Sequence, residues 1–328
     1  MEHFETTLQE RESPTTAGRR EQPRRRRSAD RAGAAMVCAL LALVVSLAAF
    51  WMAFPRTESE PEPEPAAEPI IPTVAAEPEH YITYRSYQLP IEEELAVNAW
   101  KQEAFLTDET GRIGYSTPEL TAIPGIDVST HQQEIDWKQV AESGIRFAMI
   151  RAGYRGYGPE GRLVIDEYFH ANMKGALEAG LDVGVYFFSQ ATNVWEAEEE
   201  ANMLLDELRG YPLTYPVVFD WERIHRDSAR TDPVPGKTVT LMAQAFCGLI
   251  KEAGYLPGIY FNQDLAYLEL DLERLDENVF WLAEYDSTPE FYYHFDLWQY
   301  SSKGTVPGIK GAVDLNLSFR DFGAETTD

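Results

Sequence analysis

Cysteine is nearly missing from this chain. Only Cys38 and Cys247 occur in 328 residues, which excludes a disulfide framework. Cys38 lies in an apolar run. Cys247 lies in a helical pattern, "LMAQAFCGLIKEAGY", and reads as a small buried hydrophobe. Basic charge is scarce as well: 28 Lys and Arg stand against 54 Asp and Glu. Residues 1–33 hold eight of the Arg and six of the acids, leaving 20 basic and 48 acidic residues in the remainder. Such a surface repels nucleic acid and anionic lipid, so nucleic acid is excluded as a partner. The six His show no zinc spacing such as HExxH, and no Gly-x-Ser-x-Gly elbow is present. "GYRGYGPEG" (153–161) is glycine-rich, but no helix opens from it, so it reads as a turn rather than a phosphate loop. No cofactor is expected.

One long hydrophobic run is present. Residues 34–54, "AAMVCALLALVVSLAAFWMAF", carry no charge and are long enough to span a bilayer as one helix. "RREQPRRRRSADR" precedes the run, and the Pro- and Glu-rich "PRTESEPEPEPAAEPIIP" follows it. The positive-inside rule then leaves residues 1–33 as a cytoplasmic basic tail and everything after residue 54 outside. A cleaved signal peptide is the rival reading, against which the long polar n-region argues. Cys38 sits at the start of the run, the wrong end for a lipidated cysteine. Residues 55–80 cannot bury a core and are expected to form a disordered, self-repelling stalk. At about 3.1 Å per residue it would reach on the order of 75 Å. Residues 81–121 read as an ordered lead-in, with a helical pattern in "PIEEELAVNAWKQEAFL" and a hairpin in "TDETGRIGYS".

From residue 122 the pattern becomes regular. Eight apolar runs recur: "AIPGIDVS", "RFAMIRAGY", "LDVGVYFFS", "YPVVFDWE", "LPGIYFN", "VFWLAEY", "FDLWQY" and "VDLNLSF". Helical patterns fill the first five gaps, at 134–143, 166–179, 193–209, 238–253 and 264–275. Asp166 and Asn193 are candidate N-caps, and Gly144, Gly180, Gly210 and Gly254 stand at helix ends. Strands alternating with helices predict an α/β fold, an irregular (β/α)-barrel of eight strands and about five helices over residues 122–322. Residues 323–328 form a C-terminal tail. The last two gaps, 286–294 and 302–312, are too short for crossover helices, so the closing strands are expected to depart from regularity. Active sites of such barrels lie at the C-terminal strand ends. Asp127, Gln190, Glu222, Asn262, Glu284, Gln299 and Asp314 all fall there.

Asp220 and Glu222 in "FDWE" point the same way, because side chains on a strand alternate faces. Closure would set Asp127 beside Asp314, with the strand bearing Asp220 across the mouth. Four converging carboxylates repel one another, and at least one is expected to hold its proton near neutral pH. A protonated acid beside an ionised one suits glycosidic bond cleavage. Spacing alone leaves two other readings open: a Mg²⁺ or Ca²⁺ site, and a structural network tied down by Arg151 or Arg155. Trp221, Trp281, Trp298, Tyr186 and Tyr260 favour sugar, since aromatic faces suit sugar rings. His131 is expected to bond locally rather than to ligate metal.

"GIDVSTHQQEIDWKQVAESGIRFAMIRAGYRGYG", "GVYFFSQA", "PVVFDWE", "WLAEY" and "LWQYSSKGTVPGIKGAVDLNL", in that order, resemble the glycoside hydrolase family 25 lysozymes, over about residues 122–322. The resemblance implies an N-acetylmuramidase that cuts peptidoglycan between N-acetylmuramic acid and N-acetylglucosamine. It also implies a barrel of eight strands and five helices, the count reached above. Glu222 resembles the family's general acid and Asp220 the partner carboxylate, with Asp127 and Asp314 matching the acids of the first and last strands. A retaining mechanism is implied, with Asp220 steadying the substrate's 2-acetamido group in preference to a carboxylate nucleophile. Tyr186, Tyr260, Trp281, Glu284, Trp298 and Gln299 are the expected substrate contacts, and no metal site is expected. The expected setting is a bacterial cell membrane. Residues 34–54 would anchor the chain there, with a monomeric catalytic domain outside acting on peptidoglycan glycan strands. A non-catalytic peptidoglycan-binding module on a stalk and a metal-dependent hydrolase are the alternatives.

Overall fold

The lead-in folds as two hairpins. Strands β1 (Tyr81–Tyr84) and β2 (Tyr87–Pro90) pair antiparallel, as do β3 (Phe105–Thr107) and β4 (Ile113–Tyr115). The second is the hairpin read in "TDETGRIGYS"; the first was not foreseen. These elements belong to a computed structural model that describes residues 80–224, 228–285 and 288–325. The expected span 34–54, the stalk before residue 80 and the tail residues 326–328 lie outside the described residues. Among the described residues no helix is long and apolar enough to cross a membrane.

Eight strands then close a barrel: β5 (Ile123–Val128), β6 (Phe147–Arg155), β8 (Asp182–Ser189), β9 (Val217–Trp221), β10 (Pro257–Asn262), β11 (Val279–Ala283), β12 (Leu297–Gly304) and β13 (Val313–Ser318). Pairing is parallel from β5 through β12 and antiparallel for β12–β13 and β13–β5. The expected irregularity therefore falls in the closing strands. A short β7 (Leu163–Ile165), also unforeseen, adds antiparallel to β6.

Alternation along the strands sorts two cores. Phe147, Met149, Val218, Val279 and Leu297 point inward and fill the barrel floor. Ile126, Ala148, Val185, Phe219, Phe261 and Leu282 point outward to the helix layer. Strand β5 needs Gly125, since a Cβ there would lie 2.3 Å from the Phe147 ring. The outer layer comprises α1 (Trp137–Glu142), α2 (Phe169–Glu178), α3 (Val194–Glu207), α4 (Gly236–Glu252) and α5 (Gln263–Leu268), with α6 (Phe322–Glu325) after the last strand. Helix α4 buries Val239, Met242, Ala243, Phe246, Cys247 and Ile250, the stripe a helix docked on a sheet presents. Cys247 is thus a buried thiol, as read. Asn193 caps α3 through the Glu196 N–H, and Gly144, Gly180, Gly210 and Gly254 all adopt positive φ beyond helix ends.

Three local expectations need correction. Asp166 does not cap a helix: α2 starts at Phe169, and the Asp166 carboxylate accepts instead from the N–H groups of Tyr168 and Thr130 and from Arg151. The helical pattern at 264–275 breaks into α5 and a 3-10 turn at Glu273–Leu275, and the break buries Leu270 and Leu272. "PIEEELAVNAWKQEAFL" forms no α-helix. Its polar backbone is satisfied from outside: the Asn98 N–H donates to the Tyr292 carbonyl, and the Ala96 carbonyl accepts from His294. Val97 and Tyr293 form an antiparallel bridge. The lead-in thereby covers the sector between β11 and β12, where no crossover helix is described, and Phe105 packs edge-on against Trp298.

Candidate active site

The inward positions nearest the C-terminal strand ends line a cavity of ≈270 Å³. Asp220 comes from β9, and Glu222 follows one residue past its end on the same face. Asp127 on β5 and Asp314 on β13 are direct register partners, so the closing strands bring them together as expected. All four acids line the cavity, with Tyr186, Tyr260, Trp281 and Gln299.

Asp127 is buried and fully engaged. Its Oδ2 accepts from Gln299 Nε2 at 2.7 Å and Asn316 Nδ2 at 2.8 Å. Gln299 Oε1 in turn accepts from the hydroxyls of Tyr260 (2.9 Å) and Tyr285, and Trp281 Nε1 donates to Asn316 Oδ1 at 2.9 Å. Burial, and then the facing Asp314, pushes the Asp127 carboxyl well above the usual carboxylate range. Burial raises Asp314 too, offset by its hydrogen bond with Asp127 and by nearby His131. Asp220 is raised well above its ordinary value by burial first and then by Glu222, with Arg151 acting in the opposite sense. Its Oδ1 is buried with no hydrogen-bond partner among the described residues. Glu222 is only half-buried, and its main-chain carbonyl accepts from Gln190 Nε2 at 2.9 Å. Chemically, the site offers a half-buried carboxyl at an opening, a buried partner behind it whose proton is held by burial, and aromatic walls.

Two expected substrate contacts are elsewhere. Glu284 lies outward on the parity of β11, outside the cleft lining, and accepts from the N–H groups of Glu290 and Phe291. Trp298 is fully buried on the outer side of β12, donating to the Glu284 carbonyl. Asn262 caps α5, and Trp221 points outward to donate to the Ala191 carbonyl. Arg155 is remote from the four acids and pairs with Glu199 and Glu200. Arg151 does line the cleft, but its guanidinium bonds Asp166. Tyr285, Asn316, Phe188 and Ser129 were missed. Counting by twos would have found the first two: Tyr285 follows Trp281 and Ala283 on the inward face, and Asn316 follows Asp314. Among the described residues no group of three or more His, Cys, Asp or Glu is arranged to hold a metal ion.

Comparison with known proteins agrees with this geometry. Residues 126–309 match the family described as "Glycosyl hydrolases family 25". The uncharacterised protein YegX of Escherichia coli (strain K12) is 31% identical over 210 residues, covering 61% of this chain and 71% of that protein. Lysozyme M1 of Streptomyces globisporus is 27% identical over 214 residues, covering 60% of this chain and 68% of its own length. Among solved structures, the modular autolysin LytC of Streptococcus pneumoniae superposes with a TM-score of 0.53 at 26% identity, over 65% of this chain. The match spans 52% of LytC, about half of it. The barrel, the gathered carboxylates and a family match over more than half of the chain lead to one conclusion: the chain belongs to glycosyl hydrolase family 25 and is a glycoside hydrolase.

Proposed function

We propose that the chain is a peptidoglycan muramidase, hydrolysing the β-1,4 bond between N-acetylmuramic acid and N-acetylglucosamine with retention of configuration. The observation that carries this reading is the pair Asp220 and Glu222 on one face at the end of β9, the first buried and the second half-exposed. Relatives support it: Lysozyme M1 is named as a lysozyme, and LytC has been solved with a synthetic peptidoglycan ligand.

In the substrate-free cleft, burial and then the neighbouring Glu222 favour the protonated form of Asp220. When a sugar enters, its acetamide N–H donates to Asp220, which favours the carboxylate there and leaves the proton on Glu222. Glu222 gives that proton to the glycosidic oxygen as the C1–O bond breaks, and the acetamido oxygen closes on C1. The leaving sugar departs with the proton. Water then adds at C1 from the vacated face and yields a proton to Glu222, the acetamido oxygen is released, and two inversions leave the β configuration. Asp127 and Asp314, on the opposite side, stabilise the positive charge that develops on the sugar. Tyr186, Tyr260, Trp281 and Gln299 contact the rings. The catalytic domain acts outside a bacterial cell, tethered through residues 34–54 with the stalk as spacer.

Incubating the chain with purified peptidoglycan tests the reading. Release of reducing N-acetylmuramic ends is expected. Wall binding without release would sink it and leave a peptidoglycan-binding module.

A further inference from the structure

A second hollow, of ≈520 Å³, adjoins the cleft, and the two meet at Glu222, which lines both. One wall comes from the lead-in rather than from the barrel. Arg85, at the tip of the β1–β2 hairpin, lines the hollow with Asn262, Asp264 and Leu268. The family match begins at residue 126, so this wall lies outside the family domain. The hairpin is firmly seated on α5 and the residues around it. The Tyr84 hydroxyl donates to Asp264 Oδ1 at 2.8 Å and Arg85 donates to Oδ2 at 2.7 Å, while the Tyr84 and Tyr267 rings pack with centroids 4.8 Å apart. Arg85 also holds a φ of 52°, a left-handed conformation uncommon outside glycine. It is the turn geometry of a two-residue hairpin loop and fixes where the Arg85 side chain leaves the backbone.

The chemistry of the lining narrows what fits. Both arginines are neutralised in place, Arg85 by Asp264 and Arg223 by Glu269. The two pairs present hydrogen-bond donors and acceptors, and Asp232 and Glu222 add further acceptors to the lining. Leu268, 41% exposed, adds an apolar strip beside them. A sugar ring, with hydroxyls at its rim and apolar faces, matches such a wall.

We propose that the lead-in hairpin builds an additional glycan subsite, so that the enzyme grips sugar units beyond those flanking the scissile bond. The proposal rests on the muramidase reading, because the hollow takes further sugars of the same strand. Binding energy gathered remotely from the reacting bond raises the turnover of long substrates over short ones.

The test uses the full chain and defined oligomers of alternating N-acetylglucosamine and N-acetylmuramic acid, tetrasaccharide and octasaccharide, with kcat/KM measured for each. The octasaccharide is expected to be the better substrate by about tenfold, and Arg85→Ala or Leu268→Asp to bring that ratio down towards unity. Both side chains are exposed, so the fold tolerates the changes. A ratio unaltered in both variants, or a wild-type chain indifferent to length, overturns the subsite and leaves the muramidase standing. Cleavage of neither oligomer by the wild-type chain overturns the muramidase reading and the subsite with it.

Discussion

Acids gather in two places in the barrel, at its mouth and on α3, and the two gatherings meet different partners. In the cleft, Asp127 is held by side-chain amides rather than by a cation, while Asp220 Oδ1, like Glu200 Oε2 in the second gathering, is buried without a hydrogen-bond partner among the described residues. On α3, Glu196, Glu199 and Glu200 meet two arginines. Arg155 Nε lies 2.6 Å from Glu200 and Arg230 lies 2.6 Å from Glu196. The same guanidinium groups also bond main chain: Arg155 donates to the Gly161 carbonyl and Arg230 to the carbonyl of Gln190. Gln190 in turn holds the Glu222 carbonyl. The arginine-bearing cluster is therefore scaffold for the cleft. Carboxylates alone do not mark a site; four carboxylates gathered with Arg151 as the one arginine of the lining point to one.

The largest effect that separates the two regions is catalytic. Glu222→Gln removes the transferable proton while keeping shape, and the rate of release of reducing ends should fall by about a thousandfold or more. Its thermal midpoint should stay near that of the wild type. Retained turnover would remove Glu222 as the acid.

In the scaffold the same kind of deletion should act on stability. Arg155→Met strips Glu200 of its cation inside the protein and should cost about 3–5 kcal/mol, read from the urea midpoint. A cost under about 1 kcal/mol would mean the cluster behaves like an exposed surface pair.

The scaffold also carries a pH signature. Burial pushes Glu200 from an ordinary value near 4.5 up to about 7 despite Arg155. The folded chain then keeps that proton in a window where the unfolded chain has lost it. The contribution is fully present below about 4.5 and is lost as the pH rises through about 7, by on the order of 3 kcal/mol. Glu200→Gln should flatten this part of the profile in denaturant titrations at pH 5 and pH 7.5; an unchanged slope would assign it to other groups.

Much of this site was legible in the sequence, and the misses share a cause. The barrel and the convergence of Asp127, Asp220, Glu222 and Asp314 follow from strand period and closure. Glu284 was expected at the mouth from its place at a strand end and Trp298 as an aromatic face for sugar, yet each sits one residue from an inward position, Ala283 and Tyr285 in one case and Gln299 in the other. A one-residue step on a strand moves a side chain through the barrel wall. The lead-in was illegible for a different reason. "PIEEELAVNAWKQEAFL" carries a helical pattern, but the backbone of residues 96–98 at its centre pairs with residues 292–294, a tertiary pairing that overrides local propensity.

The smallest effect sharpens the contrast most, because its sign differs between the regions. Asp220→Asn removes one of two like charges from a buried position whose Oδ1 has no partner, so it relieves both repulsion and desolvation. At pH 7 the variant should be more stable by about 1–2 kcal/mol, while activity falls, the exchange of stability for function common at active sites. The sign follows from the raised carboxyl: acid restores its proton in the wild type, so the gain should shrink as the pH is lowered below the folded value. Neutralising Glu196, which Arg230 holds below its ordinary range against the effect of burial, works the other way. Thermal melts of the Asp220→Asn chain at pH 7 and pH 4 decide the matter. Destabilisation at pH 7 would mean that Asp220 is held by a compensating contact, and that the cleft is built on the same plan as the scaffold beneath it.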